Sequence, residues 1–157
     1  MLKVKIIAVG KIKEKYFIDA ISEYSKRLSR YANFSIVEVK EENFVKEPNE
    51  SEILEILKRE GVGVSKEISG YTVACCIEGK KQSSKGLASL IKEVKNISGE
   101  MCFIIGGSYG LDESVKSKAD AKISVSDMTF PHTLFRVLLV EQIYRAFSIL
   151  NDGKYHK

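Results

Sequence analysis

Tyr71-Thr72-Val73-Ala74-Cys75-Cys76-Ile77 is apolar almost throughout, with none of the in-and-out alternation of a strand that keeps one wet face. Such a run predicts a strand covered on both sides, as strands of parallel sheets are. Leu87, Leu90, Ile91, Val94 and Ile97 then recur at helical spacing, and Met101 to Ile105 makes a second buried strand. Toward the N-terminus, Lys3 to Val9 reads as a strand. Phe17, Ala20, Ile21, Tyr24, Leu28 and Tyr31 share one face of a helix, and a less regular strand runs from about Phe34 to Val39. Glu47-Pro48-Asn49 breaks the chain before a helix carrying Ile53, Leu54, Ile56 and Leu57, which is expected to end early, near Gly61 and Gly63.

Toward the C-terminus, Gly106-Gly107-Ser108-Tyr109-Gly110-Leu111 turns the chain, and Asp112 is expected to cap a short helix with its side chain. Ala121 to Val125 is a last strand, and Pro131 opens a long helix from Thr133 to Leu150. Strands alternating with helices, and buried on both faces, predict an α/β fold: a mostly parallel sheet with helices on both sides. No repeat, low-complexity tract or linker divides residues 1–157, so one domain is expected.

Composition narrows the function classes. With 44% hydrophobic and 29% charged residues the chain can bury one proper core. No apolar stretch approaches the roughly 18 residues of a membrane span, and Lys3 and Lys5 interrupt the first apolar run. A soluble, cytoplasmic protein is expected. Cys75, Cys76 and Cys102 lie in strand-like runs without metal-ligand spacing, so buried reduced thiols and no metal site are expected. A net charge of +4 is a modest pointer to a polyanionic partner.

Ligands of open parallel sheets sit beyond the carboxyl ends of the strands. Three such ends stand out: Cys75 to Gly79, Gly106 to Leu111, and Val125 to Phe130. A glycine turn lets a ligand approach the backbone closely, although an ordinary strand-to-helix turn accounts for it equally well. No Lys-Ser/Thr follows it and its spacing is not GxGxxG, which disfavours phosphate cradling. Met128 and Phe130 beside small polar residues would suit a purine ring, or would simply form a loop. On the final helix Arg136 falls among Val140, Ile143 and Phe147, an apolar setting that demands an acidic partner, a subunit boundary or an anionic substrate. The same helix is apolar nearly all round, which predicts burial on two sides and hence a homodimer. The tail Asn151 to Lys157 is either a disordered end or a nucleic-acid contact through Tyr155 and the lysines. His132 reads as a loop or capping residue.

Phe103-Ile104-Ile105-Gly106-Gly107-Ser108-Tyr109-Gly110-Leu111, Met128-Thr129-Phe130-Pro131-His132 through Arg136, Glu141-Gln142-x-Tyr144-Arg145-Ala146 and the closing Tyr155-His156-Lys157 together resemble the ribosomal RNA large subunit methyltransferase H family. Leu2-x-Val4-x-Ile6-Ile7-Ala8-Val9-Gly10-Lys11 and Tyr24-x-Lys26-Arg27-Leu28 extend the likeness over essentially the whole chain. That resemblance implies a SPOUT-type α/β domain with a C-terminal trefoil knot, dimerisation through it, and S-adenosyl-L-methionine (AdoMet) as methyl donor. It also implies N3-methylpseudouridine in 23S ribosomal RNA as product, made on the assembled ribosome. By position, the implied cofactor contacts are Cys75, Gly106, Val125, Ser126, Asp127, Met128, Thr129 and Phe130. For the chemistry, Arg136, Tyr155 and His156 are the candidates: Arg136 to favour negative charge on the base or bind a phosphate, Tyr155 to stack or assist, His156 to accept a proton. Two departures stand out: Cys75 replaces a common leucine, and Gly61-Val62-Gly63-Val64-Ser65 replaces a better helix former. A different nucleotide-binding α/β enzyme, such as a dehydrogenase, and a non-catalytic ribosome-binding module are the rival readings.

Overall fold

The computed structural model describes residues 1–44 and 46–157. The described residues form five strands, β1 (Lys3–Val9), β2 (Asn33–Val39), β3 (Tyr71–Lys81), β4 (Glu100–Ile105) and β5 (Ala121–Ser124). Five helices alternate with them: α1 (Lys15–Leu28), α2 (Glu50–Glu67), α3 (Ser84–Ile97), α4 (Glu113–Lys118) and α5 (His132–Leu150). All strand pairings are parallel, in the order β2-β1-β4-β3-β5.

The double-sided burial read from the strands is realised residue by residue. Ile6, Phe103, Val73 and Ile123 face one side, where Leu28 of α1, Ile91 of α3 and Leu139, Val140, Ile143 and Phe147 of α5 cover them. Their neighbours Ile7, Ala74, Cys102 and Ile104 face the other, against Val64 of α2 and Val115 of α4. Each such side chain contributes roughly 1.5–3 kcal/mol on burial, so a one-residue register slip would be ruinous.

Three local expectations are corrected. First, α2 does not stop at its glycines. A β-carbon on Gly63 would lie 2.6 Å from Val39 Cγ1, and one on Gly61 would lie 3.1 Å from Asp112 Cβ. The glycines cost helix propensity, about 1 kcal/mol each, but they let α2 settle onto β2 and the β4–α4 loop. Its start is firmly set by a capping box in which Asn49 and Glu52 exchange hydrogen bonds. Second, Asp112 stands at the N-cap of α4 but makes no side-chain cap; it accepts from the Ser114 hydroxyl instead. Third, β3 runs on to Lys81. Both Cys75 and Lys80 pair with Ile123, so Cys76 to Gly79 bulge out of the ladder. Gly79 permits this, since a β-carbon there would collide with the Ile123 backbone.

Candidate functional site

The three strand ends converge. Cys75 to Glu78 from the β3 bulge, Ile105 to Glu113 after β4, and the segment from Ile123 to His132 after β5 wall one open cleft of about 850 Å³, closed at the side by Phe135 and by Leu54 and Leu57 of α2. That is the size of a pocket for a drug-sized molecule. Cys75, Gly106, Val125, Ser126, Met128, Thr129 and Phe130 all line it. Asp127 does not: its carboxylate turns outward to Lys81 at the surface.

The glycine turn is shaped by two separate demands. Gly110 has φ +91, a conformation that disfavours any side chain. Gly106 has an ordinary φ, but a β-carbon there would run into the Gly110 carbonyl, and Gly107 and Gly110 bridge across the turn. The turn therefore closes on itself and leaves its outer rim to the cleft.

The cleft's walls are largely apolar, with charge confined to its edges. Burial pushes the Cys75 thiol up, so it behaves as a small neutral hydrophobe. Cys75 and Cys76 are both partly exposed rather than fully buried as expected, whereas Cys102 is buried; burial also pushes the Cys76 thiol up, with Glu78 adding to the effect. Lys116 meets Glu78 at 2.5 Å and Glu113 at 3.3 Å. The hydrogen bond from Lys116 holds the Glu78 carboxyl below its usual range. At the β1 side His132 lines the cleft, and its Nδ1 is buried without a hydrogen-bond partner among the described residues.

Behind the turn lies a group that hydrophobic periodicity does not reveal. Glu60 of α2 is 4% exposed, and its carboxylate accepts from the Glu42 backbone N–H at 3.1 Å. Burial pushes its carboxyl up to about 7, reinforced by nearby Glu41 and Glu42.

Arg136, Tyr155 and His156 do not gather at the cleft. Arg136 is 2% exposed; its Nη1 meets Glu38 Oε2 at 2.7 Å and its Nη2 donates to the Gly10 carbonyl at 3.0 Å. Of the three settings expected for it, the acidic partner is the one present. The tail is ordered: Asp152 at φ +54 and Gly153, whose N–H donates to the Ser148 carbonyl, fold it back along α5. Tyr155 donates to Glu141 at 3.0 Å, its oxygen lies 3.3 Å from that of Tyr24, and the Arg145 guanidinium lies over its ring at 4.7 Å. His156 Nδ1 lies 3.2 Å from Arg145 Nη1. Burial pushes the Tyr155 phenol up, with Tyr24 and Glu141 adding to it, so it donates to Glu141 as a neutral hydroxyl. At 1.5 Å rise per residue, Glu141 and Arg145 stand about 14 and 20 Å along α5 from His132.

On the far side of the Val125 to Phe130 segment a smaller hollow of about 320 Å³ is lined by Ser84 and Leu87 of α3 and by Leu138 and Gln142 of α5. Leu138 stays partly exposed there, as Leu134 and Val137 do elsewhere on α5, whereas Val140 and Phe147 belong to the chain's own core.

Comparison with known proteins agrees with this architecture. The family described as "Predicted SPOUT methyltransferase" matches residues 2–156. The ribosomal RNA large subunit methyltransferase H of Oenococcus oeni is 47% identical over 161 residues, covering 100% of both chains. Among solved structures, the tRNA (m1G37) methyltransferase of Aquifex aeolicus superposes with TM-score 0.50 at 16% identity, over 91% of this chain and 69% of that one. A Legionella pneumophila structure containing bound cofactor SAM superposes with TM-score 0.50 at 9% identity, over 92% and 66%.

Proposed function

The chain belongs to the SPOUT methyltransferase family, and from that premise we propose that it transfers a methyl group from AdoMet to N3 of a pseudouridine in 23S ribosomal RNA on the assembled ribosome. The observation that carries this reading is the single cleft built from all three strand ends. It has room for an adenosyl ligand, and combines apolar residues such as Met128 and Phe130 with polar ones such as Ser126 and Thr129. Gly106 and the backbone from Val125 to Phe130 would hold the cofactor, with Cys75 packing against it; Asp127 would contribute only its backbone, since its side chain serves Lys81. Bound there, the cofactor supplies a methyl group already activated on a sulfonium.

The chain's own task is then to position the acceptor and manage one proton. Arg136 does this indirectly: by joining Glu38 and the Gly10 carbonyl it ties the ends of β1 and β2 to the start of α5, beside the cleft. Tyr155 and His156 meet RNA. Their distance from the cleft within one chain supports a homodimer in which each tail serves the partner's site, and the partly exposed Leu134, Val137 and Leu138 supply its apolar contact. The trefoil knot of the resemblance and a cytoplasmic location belong to the same reading; no described helix is long and apolar enough to cross a membrane.

The deciding experiment supplies labelled AdoMet and ribosomes from cells lacking the gene. Label in 23S RNA, located by mass spectrometry at N3 of a pseudouridine, supports the proposal. Ribosome binding without label would leave a non-catalytic binding module instead.

A further inference from the structure

The methyl transfer proposed above needs an acceptor for the N3 proton, and the cleft's groups differ sharply in their fitness for it. Two histidines occur in the chain. His156 is held beside Arg145, about 20 Å along α5. The carboxylates at the rim are engaged: Glu78 and Glu113 by Lys116, Asp112 by the Ser114 hydroxyl. A carboxylate held below its usual range by an ammonium, as Glu78 is, makes a weak base.

His132 differs from all of these. It lines the cleft at the first turn of α5, remains partly exposed, and carries a buried Nδ1 with no hydrogen-bond partner among the described residues. A carboxylate lies close by. The position a Gly10 β-carbon would take is 3.4 Å from His132 Cε1 and 3.2 Å from Glu41 Oε2, so the imidazole and the carboxylate border the same small space that the missing side chain leaves. Glu41 is itself steadied by the Ser108 hydroxyl at 3.2 Å. A carboxylate that hydrogen-bonds one ring nitrogen of an imidazole fixes the ring's orientation and tautomer.

We propose that His132 is the proton acceptor of the methyl transfer, backed by Glu41 across Gly10. This rests on the N3-methylation reading. As the N3–H bond breaks, its proton passes to the accessible ring nitrogen of His132. The N3 electron pair forms the bond to the methyl carbon, and the S–CH3 electrons return to sulfur, leaving a thioether and an imidazolium. The charged groups around the imidazole are Glu41 from the β2–α2 segment, Glu38 of β2, Arg136 one turn further along α5, and Glu60 of α2 beneath Gly107. Glu38 and Arg136 pair with each other.

The test compares wild type, His132→Gln and Glu41→Gln. For His132→Gln, calorimetry should find AdoMet affinity within about three-fold of wild type, while single-turnover methylation of saturating ribosomes falls on the order of 100-fold. In wild type the rate should rise with pH as the imidazole loses its proton, and the variant should lose that limb. Proton NMR of the free protein supplies a readout independent of activity: Glu41→Gln should shift the His132 ring signals, and AdoMet should shift them in the wild type. Should His132→Gln not fold, the NMR measurements carry the test, and ring signals unmoved by Glu41→Gln overturn the assignment. A His132→Gln enzyme with wild-type rate and pH profile overturns it as well. Wild-type protein that binds AdoMet but methylates no ribosome overturns the functional reading, and this assignment with it.

Discussion

Arg136 Nη1 meets Glu38 Oε2 at 2.7 Å, one partner 2% exposed and the other at the surface with a 41% exposed side chain. A buried guanidinium left without its carboxylate is costly, whereas the pair as a whole adds little. Glu38→Gln, which leaves that guanidinium buried and uncompensated, should therefore lower unfolding free energy by about 3–5 kcal/mol in urea titrations, and Arg136→Ala, which removes the charge but leaves a packing defect, by about 2–5 kcal/mol. Loss of methylation in Arg136→Ala at unchanged stability would show that Arg136 acts on substrate and not on the frame.

Glu60 makes stability depend on pH with a definite sign. Its folded carboxyl is pushed up to about 7 from an ordinary 4.5, so between those values the folded state holds the proton more tightly than the unfolded chain. Its contribution is full below about pH 4.5, is lost as pH rises toward 7, and is flat beyond, with a total on the order of 3 kcal/mol at most. Glu60→Gln should remove this fall and be the more stable protein at pH 8. Urea titrations of both proteins at pH 5, 6 and 8 isolate the difference; parallel curves would mean that Glu60 ionises normally.

Two of the three glycines of the cleft turn should fail differently. Gly110→Ala meets no neighbouring atom but places a side chain at φ +91, a strain of about 1–2 kcal/mol. Gly106→Ala collides with the Gly110 backbone and must open the turn. AdoMet affinity by calorimetry should fall more than ten-fold for Gly106→Ala and only a few-fold for Gly110→Ala. Equal affinities would detach the turn from cofactor binding.

The contrast between these residues shows what sequence can carry. The sheet was legible because strands buried on both faces leave an unmistakable apolar run, as at Val73-Ala74 and Phe103-Ile104. The course of α2 was not, since local propensity registers the cost of Gly61 and Gly63 but not the closeness of Val39 and Asp112 that they permit. For the same reason the β3 bulge went unread: Gly79 answers to the Ile123 backbone, more than forty residues away. The three strand ends were legible from the topology of parallel sheets. His132 was not, because its standing comes from Gly10 and Glu41, which periodicity does not connect to it. The Glu60 carboxyl is one polar residue in a polar-faced helix until α2 is laid beneath the turn.

The dimer face can be separated from the core on the same helix. Val140 and Phe147 are covered within the chain, so a charge at either should unfold it. Leu138 is partly exposed beside the smaller hollow, and Leu138→Lys should leave circular dichroism native. Sedimentation should give about twice 17.6 kDa for wild type and the single-chain mass for Leu138→Lys at micromolar concentration. A monomeric wild type would remove the shared site.

The tail offers the sharpest test of that shared site. Tyr155 and His156 lie beside Glu141 and Arg145, about 14–20 Å along α5 from the cleft-lining His132, which no side chain spans. In a monomer they could not touch the reacting base; in a dimer each tail can reach the other cleft. Deleting Tyr155 to Lys157 should leave AdoMet affinity within a few-fold and sharply reduce methylation, mainly through ribosome binding, since a lost base stack is worth roughly 1–3 kcal/mol. Gly106→Ala should be inactive for the opposite reason, having a tail and no working cleft. Mixed dimers of the two variants hold one intact tail beside one intact cleft on different subunits. Co-refolded or co-expressed mixtures should therefore regain a substantial fraction of wild-type activity, although each variant alone is nearly silent. Silence in the mixture, with mixed dimers demonstrated by mass spectrometry, would show that each tail serves its own chain or none, and the arrangement proposed for Tyr155 and His156 would fall.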